Sequence, residues 1–154
     1  MSNILARLEA LGLTLPEAPK PVAAYVPAVR AGKLLIVSGQ LPFRDGKLLA
    51  QGAVPSDVSL ETAQECARQC VLNGLATAEA ALGGDLDQIE RVARVGCFVA
   101  SMSDFHDQPK VANGASELLA EIFGEAGKHA RAAVGSVALP LRAPVEIEFL
   151  FKTL

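Results

Sequence analysis

Tryptophan is absent from this chain and tyrosine occurs once, so no row of aromatics is available to stack on bases. The 14 lysines and arginines are scattered, and against 17 acidic residues they leave a net charge of −3. A nucleic-acid binder normally carries a basic stripe with stacking aromatics; neither is visible, and no nucleic-acid partner is expected. No run approaches the roughly 18 continuous apolar residues of a membrane span, so no membrane is expected either. The opening MSNILARLEALG mixes charges into its apolar positions and lacks a signal peptide's apolar region, which makes the cytoplasm the expected location. The two histidines and the three cysteines, Cys66, Cys70 and Cys97, show no metal-ligand spacing. No glycine-rich phosphate loop is present, and neither a metal nor an organic cofactor is expected. Cys66 and Cys70 lie four apart on an expected helix and should pack as small reduced hydrophobes, while an odd cysteine count fits a reducing compartment.

What is present is apolar side chain. At 154 residues, 51% of them apolar, the chain has the size of one domain spanning 1–154 and is rich in hydrophobes for a small monomer. That excess suggests apolar surface buried against another subunit. Residues 3–12 place Ile4, Leu5, Leu8 and Leu11 at helical spacing, with Ser2 or Asn3 as cap and Gly12 as stop. A proline-rich link over residues 16–21 follows, so that residues 1–20 form a helical extension. Residues 23–29 read as an edge strand interrupted by Pro27, and residues 30–33 as a turn. Residues 34–42, LLIVSGQLP, form an apolar run whose Gly39 marks a bulge or a close backbone approach. Asp45-Gly46 predicts a hairpin turn, with residues 48–51 pairing back. A long helix is expected from Ser59 to about Leu82, with a buried stripe that includes Ala63, Ala67, Cys70, Val71, Gly74 and Ala78. Residues 89–100 read as a strand and 102–109 as a loop. Residues 111–124 read as a second helix, and the order suggests an α+β sheet with both helices on one face.

Residues 130–152 read as a closing β-hairpin around the proline-punctuated connection LPLRAP. Val145, Ile147, Phe149 and Phe151 alternate with Glu146, Glu148, Leu150 and Lys152, as a half-buried strand requires. A symmetric hairpin sets Arg131, Ala133, Gly135 and both glutamates on one face, opposite the Val/Ile/Phe face. It also puts Arg131 and Glu146 about six positions, or roughly 20 Å, apart. No element of the chain is left to cover that charged face, which argues for a partner subunit. His106 and His129 have no nameable partner and read as surface positions.

VSGQLP, the long helix, the pair Asp104-Phe105 and above all HARAAVGSVALPLRAPVEIE (residues 129–148) resemble the Rid/YjgF family, also labelled L-PSP endoribonucleases. The extra N-terminal helix and a longer loop before Asn113 resemble a longer branch of it. The resemblance implies a chorismate-mutase-like α+β fold, assembled as a homotrimer with clefts between subunits. It further implies cofactor-independent hydrolysis of small 2-imino acids to 2-keto acids and ammonia. The alternatives are a non-catalytic trimer that binds small carboxylates, or an endoribonuclease. Residue by residue, Arg131 matches the family's carboxylate-binding arginine and Glu146 its water-activating glutamate. Tyr25 matches the cleft tyrosine, Ser38, Gly39 and Gln40 the SGQ turn, and Asn113 the cleft asparagine. One position departs: Ala133 stands where many members carry a cysteine, which rules a thiol at that position out of the chemistry. Imine hydrolysis remains open because water is its nucleophile, and a planar guanidinium suits a carboxylate as lysine does not.

Overall fold

The structure, a computed structural model, describes residues 2–20 and 24–154. Helix α1 (Asn3–Ala10) is capped by Ser2, whose Oγ accepts from the Leu5 N–H, and the chain leaves it through Gly12 at φ 72°. The Asp87 carboxylate also accepts from the Asn3 and Ile4 amides at 2.7 and 3.0 Å, so a distant acidic residue pins the helix start.

The main sheet contains β1 (Ala28–Ala31), β2 (Leu34–Gln40), β5 (Ile89–Ala100), β6 (Ala130–Ser136) and β7 (Val145–Thr153), in the order β1-β2-β7-β5-β6. A separate hairpin pairs β3 (Phe43–Arg44) with β4 (Lys47–Leu48) across Asp45-Gly46, both at positive φ as that turn demands. Helices α2 (Leu60–Ala81) and α3 (Gln108–Phe123) pack on one face of the sheet. The core between them joins Cys70, Val71, Leu118 and Leu119 to Val95, Val99, Ile147, Phe149 and Phe151. Every residue of the expected α2 stripe is buried, but burial extends all round the helix from Gln69 to Ala78. The β3–β4 hairpin covers the side that the stripe leaves open: Asn73 Nδ2 donates to Leu41 O and Phe43 O, and Arg44 Nε to Gln69 Oε1.

The strand that pairs back after Asp45-Gly46 is Lys47–Leu48 rather than residues 48–51. Three further expectations need correction. The edge strand begins at Ala28 rather than residue 23, because the Ser38 N–H and Oγ take Pro27 O and Val26 O and hold those residues in a bend. Arg30 and Ala31 belong to that strand, leaving Gly32-Lys33 as the turn, while the expected strand start at Ala23 and the link's last residue, Pro21, lie outside the described residues. Helix α3 begins at Gln108, one turn earlier than expected, with Pro109 in its first turn.

The third correction matters most. Strands β6 and β7 are not a hairpin, since β5 lies between them, parallel to β6 and antiparallel to β7. Arg131 stands level with Val95 and, beyond it, Phe149, whereas Glu146 stands level with Phe98 and Val134. Side chains of laddered partners share a face, so Arg131, Ala133 and Gly135 lie on the helix face with Val95, Cys97 and Val99. Glu146 and Glu148 lie on the opposite, open face with Phe98, Val134, Ile36 and Leu150. The expected grouping of Arg131 with both glutamates is therefore wrong.

Candidate active site in two halves

Two clusters hold the candidate residues. The first is a cleft of about 650 Å³ at the end of β2, lined by Tyr25, Ser38, Gly39, Gln40 and Glu146. Its floor follows from a bulge: register slips between Val37 and Gln40, as a glycine inside the strand suggested. Glu146 packs directly on Gly39: a Cβ there would stand 2.9 Å from Glu146 Cδ and would displace the carboxylate. Ser38 Oγ donates to Val26 O, so the hydroxyl ties down the segment that carries Tyr25. Tyr25 itself is exposed. Glu146 is half-buried, and burial first, then the neighbouring Glu148 carboxylate, raises its pKa above the ordinary carboxylate value. Glu148 is engaged elsewhere, accepting from Arg94 Nη1 at 3.1 Å.

The second cluster lies where β6 meets α3. Arg131 Nη1 donates to Asn113 Oδ1 at 2.8 Å and to Ser116 Oγ at 3.1 Å. His129, expected at the surface without a partner, is half-buried between Gly127 O and Ser116 Oγ; His106 is exposed as expected. The ladder partner of Ala133 is Cys97, a buried thiol whose pKa burial pushes up to about 12. Cys97 therefore supplies no thiolate at neutral pH.

Arg131 joins Asn113, and Tyr25, Ser38 and Gly39 join Glu146, but the two halves do not meet within one chain. They are separated by the sheet itself, by two strand spacings, and by three positions along the strands, or about 10 Å in each of the latter directions. Sequence reasoning missed several participants. Pro16, Glu17, Pro19 and Lys20, from the link after α1, form one wall of the cleft, and Pro140 contributes to another. Ser116 and His129 were legible in principle: Ser116 lies one helical turn after Asn113, and His129 two residues before Arg131. Among the described residues, no cluster of histidine, cysteine and acidic side chains is arranged to hold a metal ion.

Comparison with known proteins agrees with this architecture. Residues 5–154 match the family described as "YjgF/chorismate mutase-like, putative endoribonuclease". Protein TCP17 of Trypanosoma cruzi is 43% identical over 149 residues, covering 96% of this chain and 92% of that protein. The RutC family protein PH0854 of Pyrococcus horikoshii is 35% identical over 133 residues, covering 85% of this chain and 88% of the relative. The crystal structure of Atu1372 from Agrobacterium tumefaciens, a protein of unknown function, superposes with a TM-score of 0.92. It is 48% identical, and the match covers 99% of this chain and 93% of that one. With its mixed sheet and two helices on one face, the chain belongs to the Rid/YjgF family, in which RutC-type proteins and those labelled endoribonucleases are grouped.

Proposed function

We propose that this protein is a cofactor-independent hydrolase that converts small 2-imino acids to 2-keto acids and ammonia, at clefts between the subunits of a homotrimer. The observation that carries the proposal is the state of Arg131. Four ion pairs occur among the described residues and Arg131 is in none of them; its partners are the neutral oxygens of Asn113 and Ser116. A guanidinium held in place without a counter-charge is suited to receive a carboxylate from outside.

In the reaction the oxygen of water attacks C2 of the imine and a new C–O bond forms. Glu146 takes the water proton, helped by a pKa that burial holds above the ordinary carboxylate value. That proton passes to the imine nitrogen to give a carbinolamine; its hydroxyl proton then moves by the same carboxylate to the amine, the C–N bond breaks, and ammonia leaves as the C2 carbonyl forms. Arg131 of a neighbouring subunit holds the substrate carboxylate while this occurs, and Tyr25 and the Ser38-Gly39 bulge shape the cleft around it.

The test couples the purified protein to an enzyme that generates 2-aminoacrylate and follows keto-acid release. Wild type should accelerate release and Arg131→Ala should not, while folding normally because the side chain is exposed. In calorimetry the alanine variant should lose about 2–5 kcal/mol of affinity for 2-ketobutyrate, and Arg131→Lys should recover little of it. Unchanged affinity in Arg131→Ala would refute the clamp. Binding without acceleration would favour a non-catalytic carboxylate-binding trimer. The endoribonuclease label of the family has its own control: ribonuclease activity lost on repurification is a contaminant, and activity that survives Arg131→Ala does not use this site.

A further inference from the structure

The Arg131 guanidinium is more constrained than a surface arginine needs to be. Nη1 carries two hydrogens, and both are used, one toward Asn113 Oδ1 at 2.8 Å and one toward Ser116 Oγ at 3.1 Å. The edge formed by Nε and Nη2 has no partner among the described residues. Ser116 is constrained in turn. His129 Nδ1 lies 2.6 Å from Gly127 O, and a carbonyl oxygen only accepts, so Nδ1 carries the ring hydrogen. In the neutral ring Nε2 is then a lone pair, 2.9 Å from Ser116 Oγ, and the hydroxyl gives its proton there. The serine oxygen is left with only lone pairs to offer Arg131.

Each bond in this chain fixes the sense of the next, from the Gly127 carbonyl through the imidazole and the hydroxyl to the guanidinium. Burial supports it by keeping His129 below the usual imidazole pKa; the Gly127 hydrogen bond works against that shift and the Arg131 charge reinforces it. Lys128, next in sequence, is paired with Glu125 and leaves the chain undisturbed.

We propose that Ser116 and His129 are positioning residues for Arg131: the directed chain from Gly127 O occupies Nη1 and presents the Nε–Nη2 edge to receive a carboxylate side-on. This inference rests on the carboxylate-binding role of Arg131 proposed above. An arginine rotamer fixed before binding gives up less freedom when the ligand arrives, which is the advantage of the arrangement.

The experiment has one arm that needs no ligand. Nitrogen-15 NMR of the wild-type side chains should show His129 as the Nδ1–H tautomer and slow exchange of the Arg131 Nη1 protons. Ser116→Ala should speed that exchange. The second arm measures 2-ketobutyrate binding by calorimetry. Ser116→Ala and His129→Phe should each weaken it, by up to about tenfold. The double variant should be no weaker than the worse single one, because both break the same chain. Ser116→Thr, which keeps the hydroxyl, should bind as wild type does.

An Nε2–H tautomer in wild type, Arg131 protons indifferent to Ser116→Ala, or additive losses in the double variant would each overturn the proposal. If Ser116→Ala does not fold, the wild-type tautomer and His129→Phe still decide it. Wild type that shows the NMR signature yet binds no 2-ketobutyrate overturns the carboxylate reading and its side-on reception, and supports the control of Arg131 by the chain.

Discussion

A glutamate whose folded-state pKa lies above its unfolded value binds its proton more tightly in the native protein. Glu146 is such a residue, raised by burial and by Glu148. Its contribution to stability is therefore present in acid and is lost as pH rises from the ordinary value of 4.5 through the raised native value. Glu146→Gln cannot ionise, so its melting temperature should exceed that of wild type at pH 7 and converge with it in acid. Calorimetric scans between about pH 4 and pH 8 check this, and a variant less stable than wild type at neutral pH would contradict it. The same substitution should lower kcat more than it raises KM, since Glu146 is assigned to the water and not to the substrate carboxylate. At this scale the sequence marked Gly39 as a bulge or close approach, and the family resemblance named Tyr25, Ser38, Asn113 and Arg131, but neither said which of them pair. The sequence was silent on their environment. Nothing local to Glu146 announces that Pro16 and Lys20 wall its cleft, because that contact depends on where the chain passes after α1.

Between elements, the crossing of α2 and α3 is set by Gly114. A Cβ at this position would collide with the backbone carbonyl of Gln64, so the two helices are in contact there main chain to main chain. Gly114→Ala would gain about 0.5–1 kcal/mol of helix propensity. The collision should outweigh that gain, because backbone cannot rotate away as a side chain can, giving a net destabilisation of about 1–3 kcal/mol in denaturant titration. A stabilised variant would show that the helices separate freely. Helices and turns were legible because their signals are local: caps at Ser2 and Ser59, an Asp-Gly turn, and glycines at positive φ after the helices. Strand neighbours were not. Alternation in β7 reveals its two faces but not which strand lies beside it, and the short LPLRAP connection favoured a hairpin. The signal passed over was the strand–helix–strand order of β5, α3 and β6, the usual way to join parallel strands. Inserting β5 moves Arg131 onto the helix face, so a pairing error became an error about the site.

For the whole molecule, the open face of the sheet is the main consequence of this topology. Ile36 and Val134 are exposed there, beside Leu150 and Phe98, and no element among the described residues covers them. Such a face favours association with further copies, and the proposed trimer supplies them. Within one chain the sheet stands between Arg131 and the Glu146 cleft, and no rotamer of either side chain passes through it. If both act on one substrate of a few heavy atoms, they come from different chains. Arg131→Ala and Glu146→Gln proteins, each nearly inactive alone, are then complementary. In a trimer each site would take its arginine from one chain and its glutamate from the next. Equal amounts co-refolded into random trimers would leave about one site in four with both native residues. Keto-acid release should therefore recover to roughly a quarter of the wild-type rate. If both residues of a site came from the same chain, no mixture would contain an intact site, and activity would stay at the level of the separate variants.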